Sequence, residues 1–518
     1  MKRRQGILLF LSVIYAFCIV YGNDIMKYDT VEYLSGKTWG RILFWTVIMC
    51  IITNLCSFLI PKVCRLTADI KIKDFKASHH FGVMWVIILL GWLPVYLACY
   101  PGLGIYDGPC QLAEITTHHP LAHTLFIHGM NMLAQRLGGI NWLVPYTIIQ
   151  MGLLAAAFAY LLTCLKAWGL NSIYIDVVLI WIIFFPMNPL MGAASTKDTL
   201  FAALFLLAVC ELIKIIHGGG IYWSKCLNCV RFAFVCCWLC LLRNNGVYVL
   251  AAMAPFLMFY TKGYYKRIGL ICMSIIAGYY IYMGPLMEVV QIPKGDSREA
   301  MTMIVQPLAR TYREEEKSSL SQDEREMIRR LFGNNTPWYE SHISDAAKCQ
   351  FDSREFLSHI SIYMKLYIEL GIRYPDVYLD AILANTYGNW YPHEILPDST
   401  CYRMYFEFPE VSAKEHGSKF PVLYDFLQKL CRESTYLKVP FVYLIFCTGI
   451  VSWTILFLLA QIVIRKQYRK ILAFVPFGAL FFTILLGPVA LLRYTYPLMV
   501  GIPVLFAIVY WDELAKRV

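Results

Sequence analysis

The chain predicts an all-α, polytopic membrane protein, and three observations carry that prediction. Hydrophobic residues make up 58% of the 518 positions, against 16% charged. The apolar residues gather in repeated runs of about 17 to 25, each long enough to cross a hydrocarbon core of roughly 30 Å. Lys and Arg cluster in short segments at alternate ends of those runs, where they set orientation. The formal charge of +11 is therefore read as topology, and no nucleic-acid partner is expected.

Taken in order, the runs give about twelve expected spans: 6–22, 39–60, 81–100, 143–166, 171–189, 198–216, 227–243, 246–261, 267–286, 437–464, 470–487 and 493–511. The first follows a basic start but has no small-residue cleavage site, so it reads as a retained helix rather than a signal peptide. The pair 227–243 and 246–261 reads as a helical hairpin broken at Arg243-Asn244-Asn245-Gly246. With both termini in the cytoplasm, one orientation places every basic cluster inside: Lys2, Arg3 and Arg4; Lys62, Arg65, Lys71, Lys73 and Lys76; Lys262, Lys266 and Arg267; Arg465, Lys466, Arg469 and Lys470; Lys516 and Arg517.

That topology divides the chain into a two-span N-terminal addition (1–80), a transmembrane core (81–286), an extracytoplasmic segment with membrane-surface helices (287–436) and C-terminal spans (437–518). Within the core, 101–142 forms an outer loop. Its part from Leu121 to Arg136 is apolar on one face and polar on the other, as for a helix lying in the interface. Most of the eighteen cysteines lie in spans, where a thiol behaves as a small apolar group. Cys226-Leu-Asn-Cys229 has metal or redox spacing but no second Cys/His pair beside it. Outside, Cys110, Cys349, Cys401 and Cys431 have the numbers for up to two disulfides, with pairing open.

The chemistry concentrates at the outer ends of spans. Tyr100-Pro-Gly-Leu-Gly-Ile-Tyr-Asp107 leads into Glu114 and then His118-His119-Pro120-Leu121. Ser195-Thr196-Lys197-Asp198 opens one span, the Arg243-Asn244-Asn245-Gly246 break follows, and Gly487 to Arg493-Tyr494-Thr-Tyr496-Pro497 opens the last. In this order the elements resemble the GT-C superfamily of multi-spanning glycosyltransferases, most nearly an uncharacterised bacterial branch of it. In that superfamily the acidic loop usually follows the first span; here it follows the third, which makes 1–80 an addition. Asp107 is followed by Gly108 rather than a second acid, so any metal site has to be assembled from distant residues.

The resemblance implies a polyprenyl-phosphate-linked sugar as donor, a cell-envelope glycan, lipid or protein as acceptor, and a site on the outer face of a bacterial plasma membrane. A divalent cation such as Mg or Mn is compatible with it. Such transfer needs a carboxylate to take the acceptor's proton and cations to stabilise the departing phosphate. Asp107 is the candidate base, although Asp beside Gly and Pro is also an ordinary turn residue. Glu114 shares the face of Asp107 if the intervening residues are helical, because seven residues make close to two turns; otherwise it is an ordinary solvated loop carboxylate. Asp198 completes the catalytic set.

For substrate binding the candidates are His118, His119, His123, Lys197, Arg243, Asn244, Asn245, Arg493 and Tyr494. The spacing of the three His does not converge on one helix face, which favours substrate contact over a zinc site. Asp198 and Lys197 also suit a helix start, as cap and snorkelling cation. Arg243 and Arg493 suit a lipid phosphate through planar, bidentate pairing, or simply headgroups. Asn389, Trp390 and Tyr391 combine flat faces with amides, as for stacking on a sugar, although an interfacial aromatic belt has the same composition. Gln306 and Arg310 are weaker candidates. Three rival functions remain open at this stage: a polymerase or ligase using a polyprenyl-diphosphate glycan, a lipid or polysaccharide transporter or flippase, and a non-catalytic scaffold.

Overall fold

The computed structural model describes residues 2–69, 80–314, 319–393, 406–432 and 442–515. The expectations for Lys71, Lys73, Lys76, Cys401, Lys516 and Arg517 fall outside these residues. Among the described residues all regular structure is helical, and β pairing is confined to isolated bridges. In hydrocarbon a helix satisfies its own backbone groups, which is why apolar runs of this length fold this way.

Among the described residues eight helices are long and apolar enough to cross a membrane: Lys2–Tyr28, Gly36–Ala68, Phe81–Ala98, Leu143–Ala167, Lys197–Gly218, Tyr265–Val289, Tyr468–Leu485 and Leu492–Val509. The expected span 171–189 is instead a pair, Ser172–Phe184 and Met187–Ala193, bent by 50°, with Pro186 at the break. The expected spans 227–243, 246–261 and 437–464 correspond to shorter apolar helices, Cys226–Leu242, Asn245–Tyr260 and Thr448–Ile464. The segment expected in the interface is helical over Leu121–Arg136.

Helices Leu143–Ala167, Lys197–Gly218 and Leu492–Val509 form the centre of the bundle, with Phe81–Ala98 and Thr448–Ile464 packed around them. One end of the bundle is basic. There Arg465 pairs with Glu513 at 2.9 Å, and Arg65 approaches the same carboxylate at 3.5 Å. The helix starts and loops that carry Asp107, Lys197, Arg243 and Arg493 lie at the opposite end.

The two N-terminal helices pack on each other, and the first packs on Thr448–Ile464, with Tyr15 stacked on Trp453 at 4.1 Å. Their connecting loop is held by the polar segment that follows residue 300. Asp380 accepts from Thr30 at 2.5 Å, from the Val31 N–H at 3.2 Å and from the Tyr33 hydroxyl at 2.7 Å. Arg310, fully buried, pairs with Asp29 at 3.3 Å. That segment has a core of its own, including Val305, Leu308, Ile328, Phe332, Phe351 and Leu370. It also grips the loop ahead of Arg493: the Ser344 N–H donates to the Pro488 carbonyl at 2.9 Å, and Asn385 Nδ2 to the Gly487 carbonyl at 3.0 Å.

Candidate functional site

The loop that carries Asp107 is stitched onto the segment that carries Lys197. The Leu103 N–H donates to the Ala193 carbonyl at 2.8 Å, the Ser195 N–H to the Leu103 carbonyl at 2.9 Å, and Ser195 Oγ to the Ile105 carbonyl at 3.0 Å. Gly108 is needed for this approach, because a Cβ there would stand 2.3 Å from Ser195 Oγ and 2.6 Å from its carbonyl oxygen. Thr196 then caps the helix Lys197–Gly218, its Oγ1 accepting from the Asp198 N–H at 3.3 Å. This connection puts Lys197 Nζ 2.8 Å from Asp107 Oδ2.

Four separate segments converge here. Arg243, at the end of helix Cys226–Leu242, holds Asp198 Oδ1 at 2.5 Å. Arg493, in the first turn of Leu492–Val509, places Nη1 3.5 Å from Asp107 Oδ2 and 3.8 Å from Asp198 Oδ2. Aromatic rings fix the planes of both guanidiniums. Arg493 lies over Tyr106 at 4.5 Å and Tyr494 at 4.8 Å; Arg243 lies over Tyr494 at 4.8 Å and Phe201 at 5.7 Å. Tyr494 thus serves both cations. Arg493 Nε and Nη1 are buried without a hydrogen-bond partner among the described residues, so this guanidinium keeps donor capacity in a low-dielectric site.

The electrostatics follow from these distances. Burial pushes the Asp107 carboxyl up, but the Lys197 ammonium and the Arg493 guanidinium outweigh it and hold the group well below the usual carboxylate range. Lys197 Nζ also donates to His119 Nδ1 at 3.1 Å. Burial, with Lys197 beside it, lowers His119 to about 4, so its ring is neutral near pH 7 and free to accept that bond. Three cations, Lys197, Arg243 and Arg493, face two carboxylates, Asp107 and Asp198. Glu407 approaches from the far segment, Oε2 accepting from the Tyr106 N–H at 3.3 Å while its own N–H donates to the Tyr106 hydroxyl at 2.9 Å. Burial raises the Glu407 carboxyl above its ordinary value.

An apolar cavity of about 1030 Å³ begins beside this cluster. It is lined by Leu200, one turn below Lys197; by Leu242, next to Arg243; and by Ala203, Phe126, Trp238 and Tyr279 among others. Leu125, Phe234 and Trp238 are exposed, so the cavity opens sideways from the bundle as a groove.

Other expected site residues fall elsewhere. Glu114 ends the short helix Gly108–Ala113 in extended conformation and is exposed; the helix stops before it can share the face of Asp107. His118 is exposed and meets the cluster only through His119, ring to ring at 4.6 Å. His123 is buried and engaged on both nitrogens, with Gln111 Oε1 at 2.9 Å and the Tyr146 hydroxyl at 2.9 Å. Tyr146 continues to Gln150, and Gln150 to the Ala194 carbonyl, so this chain braces the site from behind.

Asn244 accepts from the Tyr279 hydroxyl at 3.0 Å and Asn245 donates to Thr483 at 2.9 Å, anchoring the helix break that presents Arg243. Asn389, Trp390 and Tyr391 pack against the helix Thr448–Ile464, where the Ser452 hydroxyl donates to the Asn389 carbonyl and Trp453 to the Trp390 carbonyl. Tyr391 sits against Gly22, where a Cβ would come within 2.4 Å of its ring. Gln306 bonds the Glu340 carbonyl, and Arg310 serves the N-terminal loop. Cys110 and Cys349 are free, exposed thiols.

The sequence reading missed Tyr106, Thr196, Phe201 and Glu407. Tyr106 was legible as the residue before Asp107. Glu407, in Phe406-Glu407-Phe408-Pro409, has no local pattern to mark it. Asp107 and Asp198 each face a cation, and among the described residues no three His, Cys, Asp or Glu converge as metal ligands.

Neither a curated protein nor a solved structure matches the chain. A family model does match residues 98–517, a stretch that begins just before the Asp107 loop and contains every residue of the charged cluster. The chain therefore belongs to DUF6020, a family of unknown function.

Proposed function

We propose that this protein is a membrane glycosyltransferase of GT-C type, moving a sugar or related group from a polyprenyl-phosphate donor to an acceptor at the outer face of a bacterial plasma membrane. The observation that carries this reading is a pair of stacked guanidiniums and a lysine placed at the head of a lateral apolar groove. A polyprenyl chain needs an apolar path open to the bilayer, and its phosphate needs cations where the path ends. The basic end of the bundle then faces the cytoplasm with both termini, by the positive-inside rule. The three shorter apolar helices and the bent pair complete twelve spans in this reading.

The chemistry is one inverting displacement. The acceptor oxygen attacks the anomeric carbon as its proton passes to Asp107. The bond from that carbon to the phosphate oxygen breaks, and the electron pair leaves with the polyprenyl phosphate beside Arg493, Arg243 and Lys197. In the unliganded site Asp107 is a weak base because Lys197 and Arg493 neutralise it. A donor phosphate shares those cations and adds negative charge nearby, and both effects make Asp107 more basic. Asp198 orients Arg243.

The test is transfer by the purified protein in nanodiscs, supplied with polyprenyl-phosphate sugars carrying a labelled anomeric carbon. A product of inverted configuration supports the reading. Failure to bind any polyprenyl phosphate, together with absence of transfer or donor hydrolysis, overturns it.

A further inference from the structure

The segment after residue 405 carries a helix, Pro421–Arg432, that the transfer chemistry does not use. Its side chains divide into three sectors. Tyr424, Leu427 and Cys431 are buried against the bundle. Asp425 and Lys429, four apart, share an exposed polar sector. Val422 and Phe426, also four apart, are 76% and 59% exposed, with Phe420 exposed just before the helix. For a helix standing in water the third sector is unexplained, since each exposed apolar side chain forgoes the gain of burial.

The position of the helix says what covers that sector. The Lys419 N–H donates to the Leu97 carbonyl at 2.9 Å, and His416 Nε2 meets the Cys99 carbonyl at 3.1 Å. Both partners lie at the end of the span Phe81–Ala98, whose Leu90 and Leu93 are themselves exposed as a lipid-facing side chain must be. Lys419 Nζ stands over the Tyr100 ring at 5.1 Å, a cation and an aromatic at the level where a bilayer interface attracts both.

We propose that the helix Pro421–Arg432 lies in the bilayer interface, with Phe420, Val422 and Phe426 seated in acyl chains and Asp425 and Lys429 toward water. The seat reaches the charged site through two steps. Gln428 Nε2 donates to the Pro409 carbonyl at 2.8 Å, the Tyr424 hydroxyl donates to the Val411 carbonyl at 3.2 Å, and the segment so held carries Glu407 against Tyr106. The membrane thereby supports the ring on which Arg493 rests. This inference does not depend on the transfer reaction.

The experiment places a benzophenone amino acid at Val422, Phe426 or Lys429 of the full chain in phosphatidylethanolamine and phosphatidylglycerol nanodiscs, and weighs the photoadducts by mass spectrometry. Phospholipid adducts at 422 and 426 at least 10-fold above those at 429 are the expected result. Equal labelling at the three positions overturns the proposal, as does an adduct between two copies of the chain at 422 or 426. A variant that does not elute as monodisperse protein is replaced by the same probe at Phe420, for which the lipid adduct is again required.

Discussion

Replacing Arg493 by Lys separates charge from shape. Lysine keeps the positive charge beside Asp107 and Asp198, at present 3.5 and 3.8 Å from Nη1. It cannot keep a planar group between Tyr106 and Tyr494, at 4.5 and 4.8 Å, nor offer a phosphate two parallel donors. Each stacking contact is worth ~1 kcal/mol at a partly desolvated site, so losing both weakens a phosphate held in that geometry by roughly 30-fold. The assay is equilibrium binding of polyprenyl phosphate to the protein in nanodiscs, with thermal unfolding followed in parallel. Arg493→Lys should lose about that factor while still unfolding cooperatively, and Arg493→Ala should lose more. Undiminished donor binding by Arg493→Ala would show that the guanidinium does not hold the phosphate.

Asp107→Asn should lower turnover by about 100- to 10,000-fold, the usual contribution of a general base, while donor binding is retained because Lys197 and Arg493 lose a competing carboxylate. Glu114→Gln, at an exposed position, should turn over within about twofold of the unsubstituted protein; the reverse pattern would move the reaction centre to Glu114. His123→Leu removes the partner of Gln111 Oε1 and one of the two partners of the Tyr146 hydroxyl, and leaving a buried polar atom unsatisfied costs about 1–3 kcal/mol, to be read as a fall in unfolding temperature; an unchanged midpoint would reject the bracing role. His119, about 4 in the folded chain against 6.5 unfolded, makes the unfolded state the better proton binder between those values. Stability should therefore fall as pH drops from about 6.5 towards 4, and that part of the slope should disappear in His119→Gln.

Hydropathy determined a good deal here. The lengths of apolar runs are local, and so are the basic residues at their ends. The helices Lys2–Tyr28, Phe81–Ala98, Leu143–Ala167 and Leu492–Val509 follow from them because a span needs no partner to satisfy its backbone. The sequence also marked Asp107, Lys197, Asp198, Arg243 and Arg493 singly, as charged groups at the ends of apolar runs, where charge is costly without a reason.

Only the tertiary structure decided which of these meet. Lys197 reaches Asp107 because Gly108 lets two loops close on each other, and Tyr494 lies between two arginines because a broken hairpin and the last helix end at one level. The same packing turned His123 inward and left Glu114 in solvent, although both stand among the residues that pointed to the site. Glu407 joined Tyr106 from a segment without a pattern of its own. Spacing along a chain reports one helix or one turn; convergence of four segments depends on how helices pack, and that is a property of pairs of surfaces.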